Sequence, residues 1–344
     1  MSLFQKYTFC IFFYCACAFP ACAQQIVLNA VGDIMLAGSG SGTLARKGHD
    51  YPFAATRHEF KSADINVGNL EAPITERGSE FTGKRFRFKI SPKASAALKR
   101  AGFSVLTLAN NHMMDFGTIG LEETLRQLDS ENILHTGAGG NLASARKPAL
   151  LSLKNNKVAF LAYSLTLPAE FYAKSHQAGT APGFAPLYRE DIMKAKSNAD
   201  FVVVSFHWGE EKSTKPKAYQ VQAAHRAIDA GADLVIGHHP HVLQGIERYK
   251  NGIILYSLGN FAFGSMSSSS NTSIIARIIF DRGIREVELI PLNVLNSQVR
   301  FQPKIALGKQ GMGVIRHISL LSAQLGTEIG TDGKRYLVKM VHTE

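Results

Sequence analysis

Three imidazoles fall within four residues in Gly237-His238-His239-Pro240-His241, directly after the apolar run 232–236. A short apolar run that stops at histidines reads as a buried strand delivering side chains to its end. The same ending recurs upstream. Run 27–31 leads into Gly32-Asp33, 63–67 into Gly68-Asn69-Leu70-Glu71, 105–109 into Asn110-Asn111-His112, and 201–206 into His207-Trp208-Gly209. Asp33, Glu71, Asn111, His207, His239 and His241 are imidazole, carboxylate and amide groups of the kind that bind divalent transition metals. A hydrolytic pair of ions needs several such groups converging from different elements. Glu71 or Asp33 is suited to bridge two ions, and Asn111 offers a neutral oxygen that does not over-neutralise them. Ions held there would acidify a water into a nucleophile near neutral pH. His112, beside a ligand, is placed to protonate a leaving group or stabilise developing charge.

Singly these residues are ordinary: an Asp after Gly is usually a turn residue, and a lone histidine after an apolar run is usually a core residue. Six in one register point to a metal site. The His-x-His pair at 239 and 241 directs two rings toward one region, and His238 between the runs reads as a packing or supporting residue.

The elements that must position these groups alternate. Segments 91–100, 121–130, 189–196 and 217–230 read as helices, each followed by an apolar strand. In 217–230, Ala218, Val221, Ala224 and Ile228 recur at three- and four-residue spacing. Such alternation predicts an α/β sheet covered by helices on both faces, with ligands at the carboxyl ends of its strands. Segment 168–186 reads as a long loop beside the site or a plain surface connection, and 265–270 as a serine-rich turn. Segments 273–280, 284–290 and 299–302 read as antiparallel strands finishing the sheet. A helix near 313–325 and a strand near 335–341 close the fold, and no linker or internal repeat divides the chain.

With these residues in view, the chain resembles the CapA family of bacterial capsule synthesis proteins, the poly-γ-glutamate-associated branch of the calcineurin-like metallophosphoesterase superfamily. The matching segments are Val31-Gly32-Asp33-Ile34-Met35-Leu36, Gly68-Asn69-Leu70-Glu71, Ala109-Asn110-Asn111-His112, His207-Trp208-Gly209, His239-Pro240-His241-Val242 and Tyr256-Ser257-Leu258-Gly259-Asn260-Phe261. The resemblance implies an α/β fold of four layers, an α/β/β/α metallophosphatase-like sandwich with mixed sheets, formed as one domain by residues 24–344. It implies two divalent ions, zinc, manganese or iron. Asp33 and His241 would serve the first ion, His207 and His239 the second, Asn111 would be the asparagine ligand, and His112 would assist the leaving group. Two positions depart from the superfamily's hydrolase pattern: Met35 stands where a phosphoesterase has a histidine ligand, and Asn69 where it has the bridging aspartate. Glu71 is the residue that would take up the bridge, from two positions further along. The implied role is in making, processing or releasing poly-γ-glutamate or a related anionic envelope polymer, with membrane-associated synthesis machinery as a partner.

Phe86-Arg87-Phe88 reads as a short β-type segment after Lys84-Arg85. Beside the ions, Arg85 or Arg87 would grip a carboxylate in bidentate fashion; otherwise their charges are solvated. Asn260 reads as a turn residue or a support to the site.

The first 23 residues have the pattern of an export signal: Lys6, an apolar stretch to about Phe19, then Ala21-Cys22-Ala23 as a small-x-small cleavage site. All four cysteines lie there, so the mature chain would hold no disulfide. A lipid-bearing Cys22 is disfavoured by the approach Phe19-Pro20-Ala21, and the apolar core is shorter than the ~20 residues a spanning helix needs. The expected location is therefore periplasmic or extracellular. The net charge of +11 falls only to +10 when Lys6 is removed. That balance suits anionic polymers or lipid surfaces, or simply solubility. Nucleic acid is not expected, because no aromatic-and-basic recognition motif accompanies the charge. Three activities follow: a metal-dependent hydrolase or amide-bond-processing enzyme on an anionic polymer, a non-catalytic polymer-binding or export accessory protein, and a phosphoesterase.

Overall fold

The computed structural model describes residues 24–340; the expected export segment 1–23, with every cysteine, lies outside the described residues. Two mixed sheets face each other, and the alternation of side chains along each strand builds three cores. On Phe201–His207, Phe201 and Val203 turn toward the opposite sheet, while Val202, Val204 and Phe206 turn outward. Leu234 and Ile236 of Leu234–His238 face inward and Val235 outward. Ile26, Leu28 and Ala30 of Ile26–Met35 meet them from the other sheet. This is the two-residue period of a strand with both faces covered.

The larger sheet has ten strands. Its central parallel part orders Ile26–Met35, Ile65–Leu70, Val105–Thr107 and Leu134–Thr136. The antiparallel strands Thr272–Phe280 and Ile284–Asn293 extend it on the other side. The smaller sheet has six, with Asn156–Ser164, Phe201–His207, Leu234–His238 and Gly252–Leu255 parallel. Helices Lys93–Ala101 and Gly117–Ser130 cover the outer face of the larger sheet through Ala97, Leu98, Leu121 and Leu128. Ala185–Lys196 and Ala218–Asp229 cover the smaller through Tyr188, Ile192, Ala224 and Ala227. The layers therefore run helix, sheet, sheet, helix, as expected for this α/β class.

Several boundaries differ from the sequence reading. The helices expected at 121–130, 189–196 and 313–325 begin earlier, at Gly117, Ala185 and Gly308. The strand expected at 299–302 is a correction: the chain makes the short helix Asn296–Val299, then Arg300 and Phe301 take positive φ of 55° and 64°. That twist buries Phe301 against the core beside Gly40. Pairing resumes only at Lys304–Ile305. Phe86-Arg87-Phe88 is irregular rather than β. The Phe88 amide is satisfied by the Asp115 carboxylate at 2.9 Å instead of a neighbouring strand. Among the described residues, no helix is long and apolar enough to cross a membrane.

Candidate metal centre

The parallel strands of both sheets end at the same edge of the sandwich, and their last residues converge there. Asp33 and Glu71 arrive from the larger sheet with its neighbouring loop residue Asn111, and His207, His239 and His241 arrive from the smaller. Close packing makes this approach possible. A Cβ on Gly32 would lie 1.9 Å from the Gly259 carbonyl oxygen, and one on Gly237 1.9 Å from that of Tyr256. Beyond Gly237 the chain turns sharply, with His239 at φ 95° and His241 at φ 57°. Positive φ at two non-glycine residues is a strained backbone of the kind found at functional sites.

Three sets of donor atoms lie within 4.8 Å of one another: Glu71 with His207 and His239, Asp33 with Glu71 and His241, and Glu211 with His239 and His241. Glu71 belongs to the first two, the placement a bridging carboxylate requires. Its Oε1 is 3.7 Å from His207 Nε2 and 3.6 Å from His241 Nε2. Asn111 Oδ1 lies 2.8 Å from the same His207 Nε2. Asn69 does not point a carboxylate into this space. Its amide donates to Asp33 Oδ1 at 2.8 Å and Glu71 Oε2 at 3.3 Å, and itself accepts from Asn110 at 3.0 Å. Met35 is buried in the apolar core beneath the outer helices. His238 Nδ1 approaches Asp33 Oδ1 at 3.1 Å, off the axis of a hydrogen bond, and takes part in none of the three sets.

The electrostatics suit cations. Burial alone would raise Asp33, but the His238 and His241 contacts outweigh it and hold the carboxyl well below its usual range. Burial, then the Asp33 charge, push Glu71 well above. Burial also lowers His207, and takes His239 down to about 3, so both imidazoles stay neutral as metal ligands must. His241 is raised despite burial, chiefly by its contact with Asp33 at 3.2 Å. Glu71 Oε1 and His239 Nδ1 are buried without a hydrogen-bond partner. Buried polar atoms are costly when orphaned. Two orphans amid facing carboxylates and neutral imidazoles fit divalent ions, which would supply Lewis acidity to a water or substrate oxygen.

Beside this cluster, His112 Nδ1 lies 2.6 Å from Asp115 Oδ2, and Asp115 Oδ1 accepts from Lys84 Nζ at 2.7 Å. Lys84 also donates to the Asn111 carbonyl oxygen. The carboxylate fixes the imidazole with Nδ1 protonated, leaving Nε2 as the working nitrogen. Burial lowers His112. A cavity of about 360 Å³ adjoins, lined by Phe86, Phe88, Phe263, His112, His241 and Asn260 among others. Asn260 holds His241 Nδ1 at 2.9 Å. Arg85 and Arg87 are not among the lining residues. Arg87 pairs with Glu80 at 3.1 Å, and Arg85 sits 5.2 Å from the Phe86 ring. Sequence reasoning missed Asp115, Lys84 and Glu211. The His-x-x-Asp spacing was a readable signal for the first, and Glu211 four residues after His207 for the third; nothing local marks Lys84.

Layering and strand-end geometry define the class, a metallophosphatase-like α/β sandwich. The solved structures of Haemophilus influenzae NAD nucleotidase (TM-score 0.50, 11% identity, 86% of this chain and 56% of that one) and of a 5'-nucleotidase precursor from Thermus thermophilus (0.51, 13%, 78% and 54%) share the fold. Within that class, the chain belongs to the bacterial capsule synthesis protein PGA_cap family, whose profile matches residues 27–265. It is 34% identical to the capsule biosynthesis protein CapA of Bacillus anthracis over 79% of this chain and 68% of that one. It is also 34% identical to the PGA biosynthesis protein CapA of Bacillus subtilis, over 78% and 72%.

Proposed function

We propose that this chain is an exported, metal-dependent hydrolase-like protein of the CapA type, acting in the synthesis, processing or release of poly-γ-glutamate or a related anionic envelope polymer. The observation that carries the reading is the placement of Glu71 in two donor sets at once, with the His112–Asp115 pair beside them. In this reading Asp33, Glu71 and His241 hold one ion and Glu71, Asn111, His207 and His239 the other. His112, held by Asp115, protonates the leaving group. The names of the Bacillus relatives supply the polymer class, and the basic balance of the chain suits it. Signal cleavage near Ala23 would deliver residues 24–344 as one folded unit to the periplasm or exterior, beside membrane-associated synthesis machinery.

A second reading, a polymer-binding accessory protein that keeps the cluster for shape, is favoured by Met35, a core residue where a ligand histidine would stand. One experiment separates the two. The purified mature protein is analysed for bound metal and assayed on γ-linked polyglutamate, with an aryl phosphate as the phosphoesterase control. Asp33→Ala and His239→Ala should lose both metal and turnover. His112→Ala should keep metal and polymer binding while turnover falls by more than about a hundredfold. Metal-free protein, or full function in His112→Ala, sinks the catalytic reading.

A further inference from the structure

The two ion positions of the proposed function, on which this inference rests, are unequally furnished. Glu71, Asn111, His207 and His239 give one position four protein donors, whereas Asp33, Glu71 and His241 give the other three. Glu211 forms the third set of donors, which takes one histidine from each position. Its carboxylate is within 4.8 Å of donor nitrogens of both His239 and His241.

Its surroundings give it no other task. Among the described residues Glu211 makes no ion pair and no side-chain hydrogen bond, although its neighbour Glu210 pairs with Lys217 at 2.5 Å. The loop carrying it is tied to the histidine turn, because the Lys212 amide donates to the Pro240 carbonyl at 2.8 Å. An unpartnered carboxylate is thus held over two imidazoles, one of which, His239, has a buried ring nitrogen with no partner of its own. Exposed carboxylates are common, but an exposed carboxylate anchored against a buried, orphaned imidazole is placed to share a cation with it.

We propose that Glu211 is a metal ligand of this cluster, sharing a cation with His239 and His241 from the solvent side. It lies on the mouth of the 360 Å³ cavity, so it closes the site from the solvent side, where an incoming anionic substrate would compete with it for the ion.

The test measures metal binding, independently of turnover. The mature protein, stripped with a chelator, is titrated with Mn²⁺ and with Zn²⁺, and bound equivalents are counted by elemental analysis after dialysis. Wild type should take up two equivalents. Glu211→Ala and Glu211→Gln should keep one and bind the other at least about tenfold more weakly, and Glu211→Asp should recover part of the loss. Glu211 is exposed, so none of these changes disturbs the core, and thermal unfolding of the stripped variants checks that. Unchanged two-equivalent binding in Glu211→Ala overturns the role of Glu211 and leaves the metal reading standing. No binding by wild type overturns both.

Discussion

Asn69 and Glu71 together show, at the residue scale, how an amide and a carboxylate divide one task. An aspartate at 69 would crowd a third carboxylate against Asp33 and Glu71 in a buried space, where like charges are costly. The amide donates to both carboxylates instead and orients them. Glu71, one methylene longer and two residues further on, keeps Oε1 free toward His207 and His241. This arrangement has a pH signature. Burial and the Asp33 charge raise Glu71, and the Asp33 contact raises His241 despite burial, so each keeps its proton to higher pH than an ordinary carboxyl or imidazole. His207 and His239 are lowered and carry none. A cation entering must displace the first two protons and nothing from the second pair. Metal uptake on the acidic side of neutrality should therefore release protons, and affinity should weaken as pH falls. Calorimetric titration in buffers of different ionisation enthalpy reads the number directly. Zero release, or affinity that rises on acidification, contradicts the placement of Glu71 and His241.

At the scale of elements, the strand ends work because backbones approach closely just before the ligands. Gly32 and Gly237 each precede a donor-bearing stretch, and each packs against the 256–260 turn with no room for a methyl group. Gly32→Ala and Gly237→Ala should each destabilise the fold by about 3 kcal/mol, since a backbone carbonyl 1.9 Å away cannot swing aside like a side chain. Gly313, in the helix Gly308–Ala323 with open space around it, is the control. Its change to Ala should stabilise by up to about 1 kcal/mol. Urea unfolding midpoints decide both, and a neutral Gly32→Ala would falsify the close-approach argument. Such strand ends were legible in the sequence because a buried strand writes its length as an apolar run and its end as the first polar residue. What was illegible lies elsewhere. The hairpin joining Ala149–Leu153 to Asn156–Ser164 turns on Lys154-Asn155, both at positive φ, without the Asn-Gly pair that would announce it. Phe301 diverts its segment from the sheet through a tertiary contact with Gly40, more than 250 positions away. Lys84 reaches His112 and Asp115 from a loop with no periodicity to reveal where its side chain goes.

Taken as a whole, the molecule is two sheets joined by an apolar interior and, at one edge, by a cluster of polar donors drawn from both. Asp33 belongs to the larger sheet, with Glu71 immediately beyond its strand Ile65–Leu70, and His207 and His238 belong to the smaller, with His239 and His241 immediately beyond it. Ions held there would tie the sheets across the edge where the apolar core gives way to charge. Without them, the buried Glu71 oxygen and the His239 nitrogen are orphaned, and burial beside the Asp33 charge pushes Glu71 toward its protonated form. Because only the folded chain brings the donors together, a cation stabilises it by mass action, about 2.7 kcal/mol at a hundred times the dissociation constant. In a chain of this size that corresponds to a rise of about 5 °C in the midpoint of thermal unfolding. Stripping the mature protein with a chelator should lower the midpoint by that amount, and restoring Mn²⁺ or Zn²⁺ should return it. Since the ligands come from both sheets, the transition should shift without splitting. In Asp33→Ala, which removes a donor from the larger sheet, added metal should give a much smaller rise. A midpoint indifferent to chelation, or two transitions of which only one moves, would show that the cluster does not couple the sheets.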